Sequence, residues 1–131
     1  MKYLVMIYSN LQSWGHPAFA RTAEFLAGSQ AERDEMSAQF GALMKEMVES
    51  GELIGGQPLA DPVNTRTVRV RDGVSTVTDG PYLEAKEQLA GFFVIDCDSP
   101  ERATEIAARF PDARFAAVEV RSIMEMSGQE M

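Results

Sequence analysis

The chain is poor in the side chains from which many catalytic and metal sites are built. It has one cysteine, Cys97, and one histidine, His16, among 131 residues. A lone cysteine excludes an internal disulfide and gives no sign of an oxidising compartment. No basic residue or histidine adjoins Cys97 in sequence, so it reads as a buried, inert thiol rather than a nucleophile. No histidine, cysteine and carboxylate set has metal-ligand spacing, and neither a metal nor a cofactor is expected. A lone loop histidine such as His16 is more often structural or exposed than catalytic. Gly-rich phosphate loops, the dinucleotide fingerprint and the Gly-x-Ser-x-Gly elbow are also missing. Gly55-Gly56 does not substitute for them, because no helix opens from it. Basic side chains are scarce too, 12 against 20 acidic, for a net charge of −8. That balance argues against nucleic acid and against an anionic membrane surface as partners. No apolar run is long enough to span a bilayer. The run within Met1–Tyr8 is too short for a signal peptide, and Ser9-Asn10 breaks it. Cytoplasmic residence is the resulting expectation.

What remains is an ordinary globular composition, 45% hydrophobic and 24% charged. The length predicts one domain over residues 1–126, with 127–131 as a frayed tail. Tyr3–Tyr8 predicts a strand, Trp14–Pro17 a loop and Thr22–Leu26 a short helical turn. Gln30–Ser50 reads as a long helix. Met36, Phe40, Leu43, Met47 and Val48 recur at helical spacing, and Gly51 stops it. Glu52–Gln57 is extended. Two short runs flank Asp72-Gly73, the dipeptide of a tight hairpin. Leu89–Asp96 is a strand apolar on both alternating faces. Ser99-Pro100-Glu101 supplies a cap, a first-turn proline and an acid for a further helix. Its stripe is Ala103, Ile106, Ala107 and Phe110. Phe115–Ile123 predicts the last strand.

This order is that of an α+β, ferredoxin-like split βαβ with an added hairpin. Two helices cover one face of a four-stranded sheet. Yet the Tyr3–Tyr8 and Leu89–Asp96 strands are apolar on both faces, as doubly buried strands are. A homodimer is therefore expected to cover the second face.

The densest chemistry lies in Asp79–Gln88. Asp79-Gly80-Pro81 is turn chemistry, and Asp79 reads first as a turn former. Its sharper reading is a general acid or base, with Glu87 and Lys86 beside it at a cleft. Tyr82 reads as an amphipathic ring, Glu84, Lys86 and Glu87 as a solvated face. Arg114, near the last strand, would pair with Asp79 or Glu87 as a structural ion pair, or hold an anion. The eight methionines read as core filler or tail rather than a metal set.

Val77-Thr78-Asp79-Gly80-Pro81-Tyr82 through Gly91-Phe92-Phe93-Val94-Ile95-Asp96 resembles the signature of the DGPF proteins, a branch of the YCII-related family. Met1–Tyr8, Val68–Gly73 and Ala113-Arg114-Phe115 through Arg121 are similar to other parts of that family. The resemblance implies a dimeric α+β barrel built from two face-to-face sheets. It implies no particular activity. Some DGPF members are encoded near, or fused to, extracytoplasmic-function sigma factors. Other YCII-related proteins have been proposed as enzymes with a His–Asp pair, one type acting on chlorinated aromatic rings. Here Tyr82 replaces the usual Phe, Ala85 replaces Thr, and the segment before the long helix is longer. His16 does not align with the family's histidine, so the His–Asp mechanism is not carried over.

The function expected is a dimeric small-molecule-binding module with an aromatic-lined cleft, linked through the resemblance to sigma-factor regulation. Tyr82, Lys86, Glu87, Phe92 and Arg114 are its candidate ligand contacts. One alternative is an enzyme using Asp79 as general acid or base on a small aromatic substrate. Another is a structural interaction domain without a pocket.

Overall fold

The computed structural model describes residues 1–10, 14, 18–83 and 85–128. His16, the Gly15–Pro17 loop, Glu84 and the last three residues of the expected tail lie outside them. The strands are β1 (Lys2–Asn10), β2 (Leu53–Pro58), β3 (Arg66–Arg71), β4 (Val74–Asp79), β5 (Glu87–Asp96) and β6 (Val118–Ser122). The α-helices are α1 (Ala23–Ala27), α2 (Gln30–Ser50) and α3 (Pro100–Ala108). Short 3-10 turns occupy Ala18–Arg21, Pro62–Asn64 and Pro111–Arg114.

Four strands form an antiparallel sheet in the order β2-β5-β1-β6, and β3-β4 form a separate two-stranded sheet. With the hairpin set aside, the first and third strands of the main sheet are central. That is the ferredoxin-like arrangement. Local chemistry accounts for the helix ends. The Ser29 hydroxyl accepts the Glu32 amide and donates to the Glu32 carboxylate, a reciprocal cap at the start of α2. Gly51 takes a left-handed φ of +80° at its end, as a helix stop requires. Ser99 caps α3 through the Arg102 amide.

Burial alternates strictly along β1. Tyr3, Val5, Ile7 and Ser9 are buried, while Lys2, Leu4, Met6 and Tyr8 are half-exposed. Tyr3, Val5 and Ile7 pack under α2 and α3 with Leu43, Met47, Ile95, Cys97, Ile106 and Phe110. Each fully buried Val, Leu, Ile, Met or Phe among them contributes roughly 1.5–3 kcal/mol. Burial pushes the Cys97 thiol up from its ordinary range, consistent with an inert core cysteine. Close strand packing needs a glycine at Gly56. A Cβ there would stand 2.6 Å from the Phe92 carbonyl oxygen and from the Phe93 ring.

The opposite face carries Leu4, Met6 and Tyr8 of β1 beside Val94, Phe92 and Leu89 of β5. No described helix packs on it, and these residues are half-exposed.

Three expectations need correction. Val48 is 64% exposed and does not belong to the buried stripe of α2. The final strand begins at Val118, because Pro111–Arg114 forms a 3-10 turn and Phe115 follows it. β5 starts two residues early, at Glu87, which makes Glu87 and Gln88 strand residues.

Candidate functional site

A cavity of about 200 Å³ opens at one end of the sheet. Its walls come from Tyr8, Ser9 and Asn10 at the end of β1, and Glu87 at the start of β5. Phe19, Thr22, Ala23 and Glu24 close one side; Asp112, Phe115 and Ala116 close another. The register between β1 and β5 shifts between Ile7 and Tyr8, where Tyr8 faces Leu89. Such irregularities re-aim side chains near sites.

Asp112 is the most unusual group in this cavity. It is only 4% exposed, and buried carboxylates are rare unless they are paired. Its Oδ1 accepts the Phe19 amide at 3.0 Å. Its backbone carbonyl accepts the Phe115 and Ala116 amides, which fixes the turn. Removal from water pushes its carboxyl up to about 6, against the opposing pull of backbone amides. Near neutral pH this group can exist in both protonation states, a property often found at functional sites.

The wall behind Asp112 is rigid. Thr22 caps α1 through the Phe25 amide and donates its hydroxyl to the Phe19 carbonyl. Phe19 is edge-on to Phe25 at 5.5 Å and to Phe40 at 5.7 Å. Phe40 then meets Phe110, and Phe110 meets Phe93, at 6.0 and 5.3 Å between ring centres. A chain of rings thus runs from the cavity wall into the core. Burial also raises the Tyr8 hydroxyl above its ordinary value, with the Glu119 carboxylate adding to the effect.

A second cleft, of about 440 Å³, lies on the hairpin. It is lined by Thr67, Arg69, Thr76, Thr78, Asp79, Pro81 and Tyr82. The Arg69 guanidinium stands 4.9 Å from the centre of the Tyr82 ring, within cation–π range. Gly80, at φ +95°, donates to the Thr65 carbonyl, and its own carbonyl accepts the Thr67 hydroxyl. The Asp79-Gly80-Pro81 turn is therefore built into the hairpin base.

The residues singled out from sequence do not converge. Asp79 and Tyr82 share the hairpin cleft, with Asp79 exposed at the end of β4 opposite Arg66. Glu87 lines the Asp112 cavity. Lys86 is exposed. Phe92 sits on the open sheet face, opposite Met6 and Gln57. Arg114 does not pair with Asp79 or Glu87 as expected. The 3-10 turn carries it toward α2, where it meets Gln39 at 3.4 Å. Among the described residues, no group of histidine, cysteine and carboxylate side chains could hold a metal ion.

Sequence reasoning missed Asp112 along with Tyr8, Ser9 and Phe19. One signal was available: Asp112 is a charge inside Phe110-Pro111-Asp112-Ala113-Arg114-Phe115, between two aromatic rings that a compact fold would bury.

A ferredoxin-like sheet with an inserted hairpin and an end cavity defines an α+β domain, one of whose sheet faces is half-exposed and carries no described helix. The chain belongs to the YCII-related family: the model of the YCII-related domain matches residues 1–127. It is also 34% identical over 87 residues to an uncharacterized protein of Rhizobium meliloti (strain 1021). That match covers 66% of this chain and 70% of the relative. No helix among the described residues is long and apolar enough to cross a membrane.

Proposed function

We propose that this chain is a homodimeric small-molecule-binding domain of the DGPF branch, and that its ligand enters the cavity beside Asp112. The observation that carries this reading is a carboxyl group, 4% exposed, in the wall of an aromatic-flanked cavity. Pockets of this kind combine apolar rings with a few fixed polar groups. Here the rings are Phe19 and Phe115, and the polar groups are Tyr8, Ser9, Thr22, Glu87 and Asp112. The volume suits a small molecule rather than a polymer.

The dimer rests on the half-exposed face of Leu4, Met6, Phe92 and Val94. Contiguous apolar patches of this sort mark interaction surfaces. The DGPF placement rests on Asp79-Gly80-Pro81-Tyr82 and the strand after it. A link to sigma-factor regulation follows only through that placement.

A second reading gives the cavity chemistry. A carboxyl raised to about 6 suits general acid–base work near neutrality. In that reading Asp112 takes the role first assigned to Asp79, which is exposed on the hairpin.

A thermal-shift screen of small metabolites against the wild type and Asp112→Asn tests the binding reading. A ligand that raises the wild-type melting temperature and raises that of the variant less is the expected result. A broad library with no hit, or hits indifferent to the substitution, would sink it.

A further inference from the structure

We infer that the cavity beside Asp112 takes a small organic cation, a protonated amine carried on an apolar body. The inference rests on the binding reading above and names the class of ligand for that site. Three carboxylates line the cavity: Glu24 of α1, Glu87 of β5, and Asp112 of the turn after α3. No lysine, arginine or histidine is among its described lining residues. Arg21, on the turn that carries Phe19, donates its Nε to the Trp14 carbonyl at 3.0 Å. Arg114, two residues beyond Asp112, turns to Gln39. Glu119 adds a further negative charge beside the Tyr8 hydroxyl.

Asp112 supplies the anchor. It is 4% exposed, and its Oδ1 is committed to the Phe19 amide. Beyond that amide and its own, no group among the described residues donates to this carboxyl. A carboxylate offers roughly four acceptor positions, so part of its capacity is unspent. That capacity remains for a ligand in the cavity that Asp112 lines. Buried carboxylates are stabilised by a cationic partner. The described lining residues supply none, and a ligand ammonium would.

The walls decide the kind of cation. Among the described residues no group of carboxylates is placed to hold a metal ion. The negative charge is therefore spread along the cavity, which suits an organic cation better than a point charge. Phe19, Phe115 and the Tyr8 ring form the aromatic part of the wall, and an ammonium is attracted to ring faces. Ala23 and Ala116 add apolar lining for the body of the ligand. Glu24 and Glu87 are exposed, at the rim. On a chain of net charge −8 they draw cations toward the mouth and repel carboxylates and phosphates.

Amide NMR titrations of the full chain test the class with three probes of one shape: benzylamine, benzyl alcohol and benzoate. Benzylamine is expected to shift Tyr8, Glu87, Asp112 and Phe115 together. It should bind at least about tenfold more tightly than the alcohol, as a charge-assisted bond provides. Benzoate should leave these resonances in place. Asp112→Asn, which keeps an acceptor for the Phe19 amide, should weaken benzylamine at least about tenfold. Glu87→Gln, on the exposed rim, should weaken it by up to about fivefold. Alcohol or benzoate bound in the cavity as tightly as benzylamine overturns the amine class and leaves the cavity reading standing. Benzylamine that binds elsewhere, or is indifferent to Asp112→Asn, overturns it too. If no probe shifts the cavity residues, the amine class falls, and the cavity reading falls with it only when a broad fragment library is also silent.

Discussion

Asp112 Oδ1 accepts the backbone amide of Phe19 at 3.0 Å, across 93 positions of sequence. This bond ties the turn before α1 to the turn after α3, and it forms one wall of the cavity. Removing the acceptor would leave a buried amide without its partner, which costs about 1–3 kcal/mol. We predict that Asp112→Ala lowers stability by that amount, whereas Asp112→Asn, which keeps an acceptor oxygen, loses much less. Chemical denaturation of both variants at one pH measures the difference.

The same group makes stability depend on pH in an unusual direction. Its carboxyl lies near 6 when folded, against an ordinary value of 3.8. The folded chain thus holds a proton that the unfolded chain has lost between these values. Stability from this group is full below about pH 4 and falls as pH rises through about 6. The two-unit shift corresponds to roughly 3 kcal/mol. Asp112→Asn abolishes the effect. The stability of the variant minus that of the wild type should therefore rise by up to about 3 kcal/mol from pH 4 to pH 7. A difference that is flat across this window would refute the assignment.

A second ionic device behaves oppositely. Arg102 grips Glu52 through two hydrogen bonds of 2.8 and 2.9 Å, joining the start of α3 to the segment before β2. The guanidinium holds the Glu52 carboxyl down at about 2. Both side chains are mostly buried, 25% and 15% exposed, so screening is limited. A paired carboxylate of this kind stabilises above its ordinary value of 4.5, and the contribution fades as pH falls toward 2. Glu52→Gln should cost about 2 kcal/mol at neutral pH. A double-mutant cycle with Arg102→Met should give a coupling that vanishes in acid.

Packing at the β2–β5 seam yields a sharp contrast between adjacent glycines. A Cβ at Gly56 would meet backbone oxygen and an aromatic ring at 2.6 Å, while one at Gly55 meets nothing within 4 Å. Gly56→Ala is predicted to destabilise by roughly 1–3 kcal/mol, as overpacking does. Gly55→Ala should change stability by less than about 1 kcal/mol. Equal effects from the two substitutions would show that the seam is not tightly packed.

The proposed homodimer, with the half-exposed sheet face at its interface, predicts a concentration-dependent melting temperature. Coupling of folding to association makes stability rise with protein concentration. Phe92→Asp should remove that dependence and leave a folded monomer, since Phe92 contributes to the open face rather than to the packed one. Scanning calorimetry over a wide concentration range reads both outcomes.

Periodicity and turn chemistry made most of the fold legible. The α2 limits, the Asp72-Gly73 hairpin, the Ser99 cap and the two-faced strand could all be read from neighbouring residues. Val48 could not, because its spacing fits the apolar stripe and only the course of the strands beneath α2 exposes it. Phe115 misled for a related reason: the 3-10 turn at Pro111–Arg114 is short and carries no period. The site was less visible. Asp112 gains its character from Phe19, which is distant in sequence, and no local pattern encodes that contact. The Asp79–Gln88 motif drew attention by its charge, yet its ends serve different clefts. Asp79 belongs to the hairpin, and Glu87 belongs to the cavity beside Asp112.

The cavity beside Asp112 is the centre of this account, and amide NMR on the full chain with a fragment library tests it most directly. The account predicts that at least one small molecule shifts resonances of Tyr8, Phe19, Glu87, Asp112 and Phe115 together, with weaker shifts in Asp112→Asn. Shifts confined to Thr67, Arg69 and Tyr82 of the hairpin, or no shifts from any fragment, would contradict it.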